Sequence, residues 1–161
     1  MEERAFLDRN EFIGRAFSTA VYDVLSTMAG LEPVEIQGEN NFSDRGGKYI
    51  TGAMTLAGKR SSMASIRMDS DTAALIVSYM TGIIVSEANE EDLYDGTAEL
   101  VNMVCGRAKA ALADSDEYFQ LTSPFIVTGD NYVILYKNRI QKLEKSFRIG
   151  EGILTLELAC M

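Results

Sequence analysis

Histidine is absent from this 161-residue chain. Its absence removes Ser-His-Asp and Cys-His nucleophilic catalysis, His-ligated metals and imidazole acid–base chemistry together. Cysteine is scarce: Cys105 and Cys160 are too few and too far apart for a disulfide framework or a Cys-rich zinc site. Proline occurs only as Pro33 and Pro124, and no Pro/Gly/Ser-rich linker or low-complexity block divides the chain. Positive charge is in deficit, with 15 Lys plus Arg against 24 Asp plus Glu and a net charge of −9. The electrostatic sign is wrong for a generic nucleic-acid or anionic-membrane role. Long apolar runs are missing too: Ala73 to Met80 and Ile83 to Val85 fall well short of the ~18–20 residues a membrane span needs. The N-terminus reads Met1-Glu2-Glu3-Arg4, acidic and unlike a signal peptide. These absences predict a cytoplasmic protein with reduced thiols, no membrane insertion and no nucleic-acid partner.

What is present is an ordinary globular composition, 47% apolar and 24% charged. The length fits one domain, residues 1–161, burying roughly 70% of its unfolded surface and needing no covalent staple. Helical spacing joins Phe12, Ile13, Ala16, Phe17, Ala20, Val21, Val24, Leu25 and Met28, and Gly30 followed by Pro33 ends it. Val34 to Gln37 reads as a short strand and Gly38 to Gly47 as a loop. Tyr49 to Ala57 and Ser62 to Met68 flank Gly58-Lys59-Arg60-Ser61 as a hairpin. Asp69-Ser70-Asp71-Thr72 caps a short helix from about Thr72 to Met80, with Gly82 near its end. The acidic cluster Glu87 to Asp92 opens a longer helix, about Glu90 to Ala113, where carboxylates oppose the positive end of the helix dipole. Strand patterns follow at Tyr118 to Leu121, Phe125 to Val127, Tyr132 to Tyr136, Ser146 to Ile149 and Ile153 to Leu158. Asp130-Asn131 and Gly150-Glu151-Gly152 give hairpin signals. The order predicts an α+β fold: a largely antiparallel sheet with a long N-terminal helix and a central helix pair.

On the wheel of the 92–113 helix, Leu93, Thr97, Leu100, Val101, Val104, Ala108, Ala111 and Leu112 form the stripe expected to be buried. Opposite lie Asp95, Glu99, Asn102, Gly106 and Lys109, spaced by fours and threes on one line. Glycine in a helix interior costs about 1 kcal/mol relative to alanine, and no solvated face demands one. Gly106 one turn below Asn102 suits a face that another macromolecule approaches closely; a solvated face that tolerates a glycine is the plainer alternative.

Asp95-Gly-Thr-Ala-Glu99-Leu-Val-Asn102 matches the D-x-x-x-E-x-x-N signature, and the chain resembles the CheC/CheX/FliY chemotaxis phosphatases, CheX members most. The resemblance extends through Leu25-Ser-Thr-Met28-Ala-Gly-Leu-Glu-Pro33 and Thr51-Gly-Ala-Met-Thr-Leu-Ala-Gly58. CheC carries the signature twice; Glu-x-x-Asn occurs here only at Glu99/Asn102, as in CheX. From Asn102 to Pro124 the chain is one residue shorter than the CheC pattern, a departure in the helix-to-strand connection and outside the signature.

The resemblance implies a CheC-like fold and removal of the phosphoryl group from the aspartyl-phosphate of a CheY-like response regulator. An acyl phosphate is already reactive, so the enzyme's task is positioning and charge placement. Asn102 is expected to orient the attacking water, being too weak a base to take its proton in the ground state. Glu99 is expected to dock on the regulator's lysine. Asp95, Met103, Gly106 and Lys109 are candidate partner contacts. No metal site is assigned to the chain; Mg²⁺ is expected to arrive bound to the phosphorylated regulator. A homodimer sharing continuous sheet is implied as well, and the sparsely charged run Ile153-Leu-Thr-Leu-Glu-Leu158 is its candidate edge, the competing explanation being that this strand lies inside the sheet and another segment forms the edge. The rival reading is a non-catalytic receiver-binding or switch-associated adaptor using the same helix face.

Other constellations have simpler explanations. Asp92, Asp95 and Glu99 could be drawn as a carboxylate metal site, but acids at a helix start serve the cap and the dipole far more often. Cys105 has no histidine partner and reads as a packed thiol; Cys160 reads as a strand-end residue. Gly46-Gly47-Lys48 lacks the other glycine and the Ser/Thr of a P-loop.

Overall fold

A computed structural model describes residues 2–37, 46–137 and 140–160. Helix α1 (Glu2–Ala29) buries Ile13, Phe17, Ala20, Val21, Val24 and Leu25, the residues whose spacing predicts it. Gly30 takes φ 62° just past its end, where its N–H reaches the Ser26 carbonyl at 3.2 Å and that of Leu31 reaches Leu25 at 3.1 Å. That left-handed closure satisfies two terminal carbonyls, and a side chain would resist it. The helix starts ten residues before the predicted Phe12. In its first turns Leu7 is 60% exposed, and Arg9 ties the segment to the rest of the chain, its Nε 2.6 Å from Glu117.

Strands β1 (Val34–Ile36), β2 (Lys48–Gly58) and β3 (Ser62–Asp69) lead into helices α2 (Ser70–Thr81) and α3 (Glu90–Ala111). The Asp69 carboxylate accepts the Thr72 N–H at 2.7 Å to cap α2, and Gly82 closes it at φ 78°. Strands β4 (Phe119–Leu121), β5 (Phe125–Asp130), β6 (Gln141–Ile149) and β7 (Gly152–Cys160) complete a seven-stranded sheet. All its pairings are antiparallel, in the order β1-β6-β7-β3-β2-β4, with β5 also on β2. The α+β prediction holds. Ile50, Met54, Ile66, Met68, Phe147, Leu154 and Leu156 turn from the sheet into one core with the three helices.

Both Gly-centred hairpins form: Leu56 pairs with Ser62 and Ile149 with Gly152. The loop expected at 38–47 lies mostly outside the described residues. Two strand expectations need correction. Tyr132 to Tyr136 makes no strand, and β5 does not return through Asp130-Asn131 as a hairpin. Asn131 takes φ 48° and the chain leaves the ladder. The Tyr132 hydroxyl then bonds Thr51 Oγ1 and the Val127 carbonyl, while the Tyr136 hydroxyl bonds Glu157 at 3.4 Å. Alternate residues of the segment are half-buried, so its period-2 pattern is real, but it comes from lying across the sheet and not from pairing in it. Ile153 to Leu158 is no edge either: β7 lies between β3 and β6, both its ladders are taken, and its low charge reflects an internal position.

Phe17 couples α1 to the β4 end of the sheet. It is 1% exposed, and its ring stacks on Phe119 of β4 with centroids 6.0 Å apart. Phe17→Ala is expected to cost about 3–5 kcal/mol, read as a lower urea midpoint at unchanged m-value. A loss below about 1 kcal/mol would show that the contact does not anchor α1.

Candidate functional site

Helix α3 carries the candidate residues, and its start is strongly fixed. Asn89 accepts the Asp92 N–H at 3.0 Å while the Asp92 carboxylate accepts the Asn89 N–H at 2.9 Å, a reciprocal capping box. Asp92 is thereby occupied as a cap. Among the described residues no group of three His, Cys, Asp or Glu side chains stands close enough to hold a metal ion. Lys48, the first residue of β2, pairs with Glu90 and donates to the Tyr94 hydroxyl at 2.9 Å. The Glu90 and Tyr94 hydrogen bonds raise the Lys48 pKa, and the Lys48 hydrogen bond holds Glu90 below the usual carboxylate range. The sheet is thus strapped to the first turn of α3 by an ion pair.

The buried stripe of α3 consists of Thr97, Leu100, Val101, Val104, Cys105 and Ala108, with Leu112 at its end. Leu93 is only half-buried and Ala111 is exposed, unlike the predicted stripe; Cys105 takes a core position. On the opposite line Asp95 and Glu99 are exposed, and Asn102, Gly106 and Lys109 are half-buried. Glu99 and Asn102 stand one turn apart, about 4.5 Å along the axis at the α-helical rise. A Cβ built on Gly106 meets nothing within 4 Å, so the backbone there is open to an approaching surface. Met103 packs against the core cluster, and only part of it is available to a partner.

Two residues that sequence reasoning missed join this face. The Lys109 ammonium donates to Gln120 Oε1 at 3.0 Å and lies 5.3 Å from the centroid of the Tyr118 ring, and Gln120 donates to the Tyr118 hydroxyl at 3.0 Å. Their signal was available in the strand pattern: residues 118 and 120 point to one side of an extended chain. The line therefore runs from two exposed carboxylates, across a neutral Asn–Gly stretch, to a cation fixed by its neighbours.

Cys105 is chemically quiet. It is fully buried, and burial pushes its thiol pKa from 9.0 up to about 12. The folded state then holds a proton that the unfolded state gives up above pH 9, so the stability tied to this thiol is intact below pH 9 and lost as pH rises toward 12. Native protein at pH 8 is expected to alkylate at Cys160 while sparing Cys105, and Cys105→Ala should flatten the alkaline fall in unfolding free energy. Rapid native alkylation of Cys105, located by peptide mass mapping, would contradict its packed role.

Against this geometry, a family model described as chemotaxis phosphatase CheX matches residues 50–148. No curated protein matches the sequence. Among solved structures, chemotaxis protein CheX from Vibrio vulnificus is similar at 26% identity and TM-score 0.77, over 92% of this chain and 96% of that one. A CheX from Desulfovibrio desulfuricans is similar at 27% identity and TM-score 0.77, over 92% and 99%. The CheX of a CheX–CheY–BeF₃–Mg²⁺ complex from Borrelia burgdorferi shares the fold at 23% identity and TM-score 0.71, over 91% and 96%.

Proposed function

The chain belongs to the chemotaxis phosphatase CheX family, and from that premise we propose that it hydrolyses the aspartyl-phosphate of a CheY-like response regulator. The observation that carries this reading is one open line on α3 presenting Asp95, Glu99, Asn102 and Gly106 while the helix's other side is packed into the core. The complex of the Borrelia protein with CheY supports a receiver as partner.

In this reading the exposed Glu99 carboxylate pairs with the receiver's active-site lysine and seats α3 over the phosphoryl group. The Asn102 carboxamide, one turn further, accepts from and donates to a water and holds it in line with phosphorus. Water attacks phosphorus, the P–O bond to the receiver's aspartyl oxygen breaks, and the aspartate leaves as carboxylate with inorganic phosphate as the other product. The proton lost by water passes to phosphate oxygens, because Asn102 cannot take it. Mg²⁺ held by the receiver would neutralise charge on the transferring group. Open backbone at Gly106 admits the partner, and Lys109, fixed by Gln120 and Tyr118, pairs with a polar group at the docking rim. No described helix is long and apolar enough to cross a membrane, which suits a cytoplasmic receiver as substrate.

Two copies are proposed to join through β5 and the segment beyond it. Among the described residues β5 pairs only with β2; Phe125 is 45% exposed, and Val133 and Leu135 are 73% and 86% exposed. An unpaired strand edge, together with exposed apolar side chains on the segment that crosses the sheet face, suits a second copy, in a closed two-fold pairing that leaves both α3 faces free.

The catalytic assignment is tested by decay of phosphorylated receivers with Asn102→Ala and Glu99→Ala variants. Asn102→Ala should lower kcat by ~10²–10³ while keeping affinity. Glu99→Ala should chiefly raise KM, because removing one partner of a desolvated ion pair costs about 2–5 kcal/mol. An Asn102→Ala protein with wild-type turnover would end the water-orienting role. For assembly, sedimentation equilibrium at micromolar concentration should give a dimer, and a Val133→Asp/Leu135→Asp double variant a monomer; a monomeric wild type rules the dimer out.

A further inference from the structure

Glycines 52 and 96 sit where α3 touches its supports, and neither has a positive φ, so space and not backbone conformation accounts for them. A Cβ on Gly52 of β2 would lie 2.9 Å from the Thr97 carbonyl oxygen, 3.1 Å from Thr97 Cγ2 and 3.3 Å from Val101 Cγ1. The nearest atom is helix backbone, which cannot swing aside as a side chain can. A Cβ on Gly96 of α3 would lie 2.4 Å from Val77 Cγ2 and 2.8 Å from Val77 Cγ1, so α2 presses an isopropyl group into the bare backbone of α3. The two notches, one below the helix and one beside it, touch residues 96, 97 and 101, interleaved with Glu99 and Asn102.

We propose that Gly52 and Gly96 are positioning residues for the phosphatase reaction: they set the depth and rotation of α3 and through it the place of the Asn102 carboxamide. The inference rests on the reading of Asn102 above. A methyl at either notch must displace the helix by a few tenths of an ångström or roll it, and an in-line water held by one carboxamide is sensitive to both. Misplacement of about 1 Å at a reacting centre can cost 10²-fold; a smaller shift should cost roughly tenfold. Glu99 is exposed and long enough to absorb the same shift by changing rotamer, so docking should suffer little.

The test uses the full chain and the receivers of the same organism, phosphorylated with acetyl phosphate. Gly96→Ala and Gly52→Ala, assayed below their melting transitions, should lower kcat at least ~tenfold. Affinity for the beryllofluoride-activated receiver should stay within about threefold. Val77→Ala removes the two methyl groups that a residue-96 side chain would strike, so Gly96→Ala/Val77→Ala should recover most of the lost kcat. Gly14→Ala supplies the control: this methyl is added on α1, away from the site, where it would meet only the end of the Leu143 side chain of β6 at 2.9 Å, and it should leave kcat unchanged. If Gly96→Ala does not fold, Gly52→Ala and the double variant still decide. Folded variants with wild-type kcat, or a double variant that regains Tm but not kcat, overturn this inference alone. A wild-type chain inactive on every receiver overturns the phosphatase reading and this inference with it.

Discussion

Helix α3 rests on a stretch of β2 that has no side chain to hold it off. At Gly52 the strand comes so near that the Thr97 carbonyl occupies the space of a normal Cβ contact, and the orientation of the helix follows from this seat. With Thr97, Leu100, Val101, Val104 and Ala108 turned into the core, the 3.6-residue period leaves Asp95, Glu99, Asn102 and Gly106 facing outward. The Lys48–Glu90 pair and the Asn89/Asp92 box fix the first turn, and the Lys109–Gln120 bond ties the last turn to β4. A helix held at both ends and in the middle presents its exposed line as a rigid element, which is what a preorganised site requires.

The sheet that provides the seat has two unlike faces. Toward the helices it offers Ile50, Met54, Leu56, Ile66, Leu154 and Leu156. On the other side small polar residues are buried: Thr51, Ser65, Ser146 and Thr155, with Ser146 and Thr155 hydroxyls 3.1 Å apart across β6 and β7. The Arg67 guanidinium lies over the Tyr49 ring at 4.9 Å and the Tyr132 ring at 4.5 Å. Cation–π contacts of this kind, with the Tyr132–Thr51 bond, hold residues 132–136 against this sheet face.

Which parts of this arrangement were legible in the sequence follows from where the free energy lies. Helices stabilised by an apolar stripe and local caps, such as α2 under Asp69 and Gly82, announce themselves in composition. The first ten residues of α1 did not, because the ion pair that ties them down, Arg9 to Glu117, joins residues far apart in the chain. Alternation at Tyr132 to Tyr136 reported one face against protein and one against solvent, which a strand and a strap produce alike. The internal place of β7 depends on pairing between distant segments, and a low charge count fits either an edge or a centre. At the site, the line Asp95–Lys109 could be drawn on a wheel because it is local. Tyr118 and Gln120 escaped notice because they reach the same face from another element, and Gly52 and Gly96 because a missing side chain shows its purpose only when its neighbours are known.

Exposure divides the candidate residues by the work they can do. Glu99 is exposed, its carboxylate has freedom to search, and a charge of that kind suits capture of a partner's ammonium. Asn102 is half-buried, and a short side chain partly enclosed on a fixed helix has fewer rotamers to lose in the water-holding role proposed for it. In the proposed reaction a carboxamide contributes no proton transfer, so all it can supply is geometry, and geometry is worth most when the substrate bond is already activated, as that of an acyl phosphate is. On the proposed reading the precision of the site traces back to the sheet: a residue that acts only by being in the right place inherits its effect from whatever fixes the place, and the bare backbone under α3 is the proposed seat.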